Sequence, residues 1–183
     1  EDLTYSLNMI SVQNGILSNN GVVVELTKEE NFETNPIQIS KIVTTDAGNV
    51  GYLMYNQFVA SKSSALNQIF AGFNTTGIID LVIDLRYNGG GSVRNCVELA
   101  SMITGQFTNQ IFSNEQWNSK LDKYLKENFG SESQINRFVG ALSDGETINS
   151  LQLNRVFILT TSESASASEL LINGLAPLIE VIQ

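Results

Sequence analysis

Two short segments carry residue types that could do chemistry. The first is Asp84-Leu85-Arg86-Tyr87-Asn88-Gly89-Gly90-Gly91-Ser92. Three consecutive glycines free the backbone to adopt positive φ and to present N–H groups at a helix N-terminus. Such a site stabilises an anion, either a bound phosphate or a developing oxyanion. A tight turn would need the same glycines. The second segment is Thr160-Thr161-Ser162-Glu163-Ser164-Ala165-Ser166-Ala167-Ser168-Glu169. Its small residues allow close backbone approach, and a helix N-terminus lowers the cost of negative charge on a serine oxygen. Ser166 with Glu169 equally fits an S-x-x-E capping box.

The elements around these segments alternate. Ile78 to Leu85, IIDLVIDL, is a near-continuous apolar run that suits a strand covered on both faces. Ser63 to Thr75 places Leu66, Ile69, Phe70 and Phe73 on one helical face, with Ser63 or Ser64 as cap and Gly77 beyond its end. Ser92 to Thr104 repeats the pattern with Val93, Cys96, Val97, Ala100 and Ile103. Trp117, Leu121, Tyr124 and Leu125 mark a further amphipathic helix, and Gly130 to Ser150 is expected to be a loop with a short helix. Ile39 to Val43, Val50 to Phe58 and Val156 to Thr160 are expected strands. Ser166 to Leu178 is an expected helix, and Val181 begins another strand. Strands alternating with helices indicate an α/β fold with right-handed crossovers. In its parallel sheet both segments would lie at the carboxyl ends of strands, where ligands bind. Upstream, Asn19-Asn20-Gly21 is a turn signal leading into a strand at Val22 to Leu26, and Thr27 to Pro36 is an expected linker.

Composition narrows the chemistry. The chain has 183 residues, with 42% hydrophobic and 16% charged residues, enough for a packed domain. A formal charge of −9 makes nucleic acid an unsuitable partner. No apolar run is long enough for a membrane-spanning helix. Cys96 is the single cysteine and histidine is absent. An internal Ser-His-Asp or Cys-His mechanism is therefore excluded, as are histidine metal sites, and no cofactor or metal is expected. A serine nucleophile would need a lysine, a carboxylate or an outside group as its base. The glycines match neither G-x-x-x-x-G-K-[ST] nor G-x-G-x-x-G.

GYLMYNQF at Gly51 to Phe58, LVIDLRYNGGGS at Leu81 to Ser92 and SASASELLINGL at Ser164 to Leu175, in that order, resemble the C-terminal processing (tail-specific) proteases, which are serine/lysine peptidases. RYNGGGS and ELLINGLAPLIEV are similar to members from Bacteroidetes bacteria. The resemblance implies a crotonase/ClpP-like core of β-α-β units over residues 37–183. It implies that residues 1–36 are the tail of a PDZ-like domain and a linker. Ser166 is then the nucleophile, and Ala167 N–H and an N–H of Gly90 or Gly91 form the oxyanion hole. Glu169 matches a supporting glutamate, and Pro177 stands where some members carry an aspartate. Ser164→Ala and Ser168→Ala are expected to retain activity.

The family's general base is a lysine in a G-K segment after the next strand. Here that strand begins at Val181 and the sequence reaches Gln183. None of Lys28, Lys41, Lys62, Lys120, Lys123 and Lys126 lies in such a segment, so this stretch by itself is expected to be inactive. The expected partner is a polypeptide with an apolar C-terminal tail, with homo-oligomer or PDZ-mediated peptide contacts open, in the cell envelope outside the cytoplasm. Two rival readings remain at this point: a non-catalytic peptide-binding or scaffolding homologue that has lost the base, and a crotonase-like acyl-CoA enzyme, which the SASASE segment opposes.

Overall fold

The computed structural model describes residues 3–30 and 34–183. The chain divides into two compact units between Asn35 and Pro36. Residues 31–33 of the expected linker lie outside the described residues.

The first unit is an antiparallel ribbon of β1 (Thr4–Gln13) and β2 (Ile16–Thr27). Its turn is Asn14-Gly15, both with positive φ (51° and 79°), the conformation a two-residue hairpin loop requires. The expected turn at Asn19-Asn20-Gly21 is instead an irregularity inside β2. There the register shifts opposite Asn8 and Ile10. Asn19 Oδ1 and Asn20 Oδ1 accept from the N–H groups of Gly21 (2.8 Å) and Val22 (2.9 Å). Two asparagine-glycine signals compete in this stretch, and strand pairing decides which one reverses the chain.

The second unit holds a five-stranded sheet in the order β3-β4-β5-β8-β9. β3 (Ile37–Thr45) and β4 (Gly48–Tyr55) form an antiparallel hairpin. β5 (Asp80–Asp84), β8 (Arg155–Leu159) and β9 (Glu180–Ile182) continue it in parallel. α1 (Ser63–Thr76), α2 (Val93–Thr104) and α4 (Ala167–Leu175) supply the crossovers, and α2 packs against both others. The result is an α/β fold with a mostly parallel central sheet. Leu53, Leu81, Ile83, Val156 and Ile158 from the strands meet Leu66, Phe70, Leu99, Ile103, Leu171 and Leu175 from the helices in one buried core. No helix among the described residues is long and apolar enough to cross a membrane.

Some expected details differ. α1 is closed by Gly77 in the left-handed region (φ 64°), but neither Ser63 nor Ser64 caps its start. The buried Ser63 hydroxyl donates to Glu98 instead. α3 (Ser119–Phe129) begins after Trp117 and buries no residue. Residues 130–150 contain no helix. They carry β7 (Ile135–Arg137), which pairs with β6 (Ile111–Asn114). α4 ends at Leu175, ahead of Pro177, rather than at Leu178.

The apolar strand β5 carries an aspartate at each end, and both are paired. Asp80 takes a bidentate contact from Arg155 at 2.6 and 2.7 Å. Asp84 accepts from Arg86 Nε and Nη2 at 2.9 and 2.7 Å, and from the Tyr52 hydroxyl of neighbouring β4 at 2.6 Å. The Arg86 guanidinium holds the Asp84 carboxyl below the ordinary carboxylate range, and the Tyr52 phenol, bound to that carboxylate, is raised. A depressed folded-state value gives stability that is complete above the unfolded pKa of about 4 and lost as pH falls below it. Asp84→Asn should therefore lower Tm at neutral pH and flatten its decline between about pH 4 and 2. A Tm–pH curve for Asp84→Asn parallel to the parent's would exclude this coupling.

Candidate active site

β5 and β8 are adjacent and parallel, so the loops leaving their carboxyl ends meet. Leu85 N–H donates to Leu159 O at 2.9 Å and extends the pairing into the loops. Three side chains then stitch the loops together. Thr161 Oγ1 donates to Arg86 O at 2.7 Å, Ser164 Oγ to Leu85 O at 2.7 Å and Ser168 Oγ to Asn88 O at 2.9 Å. Ser164 also accepts from Thr161 N–H at 3.0 Å. Two of the three serines in S-A-S-A-S thus have their hydroxyls engaged in holding one loop to the other.

Ser166 differs from both. It is the N-cap of α4 and has φ 56° and ψ −113°, a region sparsely populated by residues with a Cβ. Such backbone costs on the order of 1–3 kcal/mol and persists only where the surroundings impose it. Here Glu169 Oε2 accepts from Ser166 N–H at 2.8 Å, the glutamate arm of a capping box. Ser166 O accepts from Leu170 N–H at 2.9 Å. The serine arm is looser, with no well-formed side-chain cap bond, and the residue is exposed. Capping and an available hydroxyl therefore coexist at one serine.

The glycine run lies directly against it. Gly90 has φ 111°, and a Cβ there would sit 2.6 Å from Ser166 Cβ and 3.1 Å from Ala167 N. No other residue type fits that contact. Gly91 has φ 133° and pairs with Phe58 as an isolated parallel bridge. Phe58 N–H donates to Gly90 O and Ser92 N–H to Phe58 O, both at 2.9 Å.

The two candidate glycine donors are not equivalent. Gly90 N–H already donates to Asn88 Oδ1 at 2.8 Å, so it is removed from the candidates for an oxyanion donor. The Gly90–Gly91 peptide directs its carbonyl to Phe58, and planarity turns the Gly91 N–H to the opposite side. Ala167 is the first residue of α4, whose helix offers its N–H no acceptor. Its carbonyl accepts from Cys96 Sγ at 3.3 Å, and burial pushes that thiol's pKa up. Of the two glycine candidates this leaves the Gly91 N–H, together with the N–H of Ala167.

Asn88 was not singled out from the sequence, although an Asn before glycines is a local signal for a side chain folding back on its backbone. It is fully buried. Its Nδ2 donates to Tyr55 O and its Oδ1 accepts from Gly90 N–H, both at 2.8 Å. Its carbonyl accepts from Ala165 N–H at 3.2 Å as well as from Ser168. Among the described residues no lysine is hydrogen-bonded to Ser166. Lys41 lies over the Tyr52 ring, Lys62 closes the 3-10 turn Ala60–Lys62, and Lys123 and Lys126 pair along α3 with Glu127 and Asp122.

A mostly parallel α/β sheet that sets a strained serine and a glycine loop at the ends of adjacent strands places the chain in the class of α/β proteins whose loops meet at the carboxyl ends of the strands. Within that class, residues 49–176 match the model of peptidase family S41, and the chain belongs to that family. It is similar to a structure from Bacteroides fragilis described as an S41 protease, at 26% identity and TM-score 0.72 over 97% of this chain and 46% of that one. The photosystem II D1 C-terminal processing protease shares the fold, at 21% identity and TM-score 0.55 over 85% of this chain and 37% of that one. A Staphylococcus epidermidis protein named as a CtpA-like serine protease is 24% identical over 159 residues, 77% of this chain. The chain spans about a third (32%) of that relative's length.

Removing the Asn88 side chain would leave Gly90 N–H and Tyr55 O buried without partners, at about 1–3 kcal/mol each. Asn88→Ala should therefore shift the urea midpoint by far more than a surface substitution does. A loss within about 0.5 kcal/mol, the range of such surface changes, would show that the loops hold without it.

Proposed function

We propose that this chain is the nucleophile-bearing part of a serine endopeptidase core of the C-terminal processing type. The observation that carries the reading is the contrast among the three serines. Ser164 and Ser168 spend their hydroxyls between loops, while Ser166 sits exposed on strained backbone against Gly90. In this reading Ser166 Oγ attacks a peptide carbonyl. The oxyanion that forms accepts from the N–H groups of Gly91 and Ala167, and the acyl-enzyme is then hydrolysed by water. Glu169 fixes the serine backbone rather than taking its proton, because its carboxylate is already held by Ser166 N–H at 2.8 Å.

The base in this reading is a lysine on the segment following β9, neutral in an apolar pocket. Membership of peptidase family S41 and the parallel pairing of β8 with β9 support it, since β9 ends beside the strand that leads to Ser166. The substrate is an extended polypeptide, taken from or near an apolar C-terminal tail.

Two measurements test this. A version extended through the strand and loop after Gln183 should cleave an unfolded protein with an apolar C-terminus. The 183-residue chain should not, and Ser166→Ala in the extended version should abolish cleavage while its Tm is retained. Cleavage by the 183-residue chain, or by extended Ser166→Ala, would overturn the assignment. Gly91→Val should lower kcat by roughly 10²–10³ through loss of one oxyanion donor. Ser164→Ala and Ser168→Ala should weaken activity only through loosened loops, each remaining well above Ser166→Ala.

A further inference from the structure

A buried polar chain that the proposed chemistry leaves unused runs between α1, α2 and the segment after β4. Glu98 is 2% exposed, and Tyr55 and Asn95 are fully buried. The Glu98 carboxylate accepts from Ser63 Oγ and from Arg94 Nε, the latter at 3.2 Å. Ser63 Oγ accepts from Asn95 Nδ2 at 2.9 Å. Asn95 Oδ1 accepts from the Tyr55 hydroxyl at 2.8 Å, and that hydroxyl accepts from Val59 N–H at 3.1 Å. Burial pushes the Tyr55 phenol up to about 12, so it remains a donor throughout the working pH range.

The direction of every bond follows from one end. An ionised carboxylate only accepts, so Ser63 must donate to it. Ser63 then takes its own hydrogen bond from the Asn95 amide nitrogen. That turns the Asn95 carbonyl to Tyr55, which must donate to it. The remaining Tyr55 lone pair faces Val59 N–H. A single charge thereby fixes one hydroxyl rotor, one amide orientation and one phenol.

The far end is mechanically placed. Val59 N–H and Phe58 C=O belong to the same peptide group, which is planar. Its N–H side is held by Tyr55, and its C=O side receives Ser92 N–H at 2.9 Å. Gly91 lies against that same carbonyl, where an added Cβ would come within 2.1 Å of Phe58 O. Any tilt of the Phe58–Val59 peptide moves the glycine loop with it.

We propose that Glu98, Ser63, Asn95 and Tyr55 are positioning residues that set the Gly91 N–H through the Phe58–Val59 peptide. This rests on the reading of Gly91 as an oxyanion donor. The test reads the loop directly and needs no turnover, so it stands apart from the test of Ser166. Amide hydrogen exchange of the 183-residue chain is followed by NMR for the parent, Tyr55→Phe, Ser63→Ala and Ser63→Thr. Tyr55→Phe and Ser63→Ala should speed exchange of the Phe58 and Ser92 amides by about three- to tenfold, the worth of roughly one hydrogen bond. The amides of β8 and α4 should keep their parent rates. Ser63→Thr, which restores the hydroxyl, should return Phe58 and Ser92 toward the parent. Unchanged Phe58 and Ser92 rates in Tyr55→Phe would overturn the proposal. So would equal acceleration of all amides, which is what a merely structural role gives. Should Ser63→Ala fail to fold, Tyr55→Phe, which removes one oxygen atom, decides alone.

Discussion

The site depends on one buried amide. Three glycines in a row have no side chains with which to define a loop, so something else must define it. Asn88 does so by supplying one donor, to Tyr55 O, and one acceptor, to Gly90 N–H. Only a side-chain amide offers both at that length; a carboxylate lacks the donor and would bury a charge. Its backbone carbonyl, receiving Ala165 N–H and Ser168 Oγ, then ties the same point to the serine loop. The ends of three neighbouring strands are thereby set by one residue. The position of Ser166 relative to the glycines follows from it rather than from contacts of Ser166 itself.

The strain at Ser166 becomes intelligible against that background. A non-glycine residue in the left-handed half of backbone space needs a surround that leaves it no easier conformation. Ser164 and Ser168 fix the chain on either side of it, Glu169 holds its N–H, and Gly90 leaves room for its Cβ and no more. The repeated small residues of S-A-S-A-S have separate tasks: two serines brace, one is presented, and the alanines permit the close approach.

The sequence made the layout legible and the wiring illegible. Periodicity marked α1, α2 and β5 because burial repeats at the spacing of the element. It also placed Ser166 and the glycines on loops that the fold brings together. The short strands β6 and β7 were missed because three or four residues hold too few alternations to register. Asn19-Asn20-Gly21 misled because Asn14-Gly15 carries the same local chemistry, and cross-strand pairing decides between them. Ser63 at a helix start has the type and place of a cap, yet its partner Glu98 is 35 residues away. Which of Gly90 and Gly91 has its N–H taken by Asn88 was undecidable for the same reason. It depends on where the side chain of Asn88 turns, which local residue types do not specify.

A serine hydroxyl attacks only if something removes its proton, and Asp84, Glu98 and Glu169 are already committed elsewhere. Asp84 is ionised beside Arg86 and takes the Tyr52 hydroxyl. Glu98 terminates the buried chain that begins at Val59. Glu169 anchors the backbone of the very serine it would have to deprotonate, so moving to Oγ would release the strained turn that presents the hydroxyl. Cys96 is buried with its thiol raised and donating to Ala167 O. With histidine absent from the sequence and these three acids serving geometry, the proposed reading assigns the proton to an amine of lowered pKa.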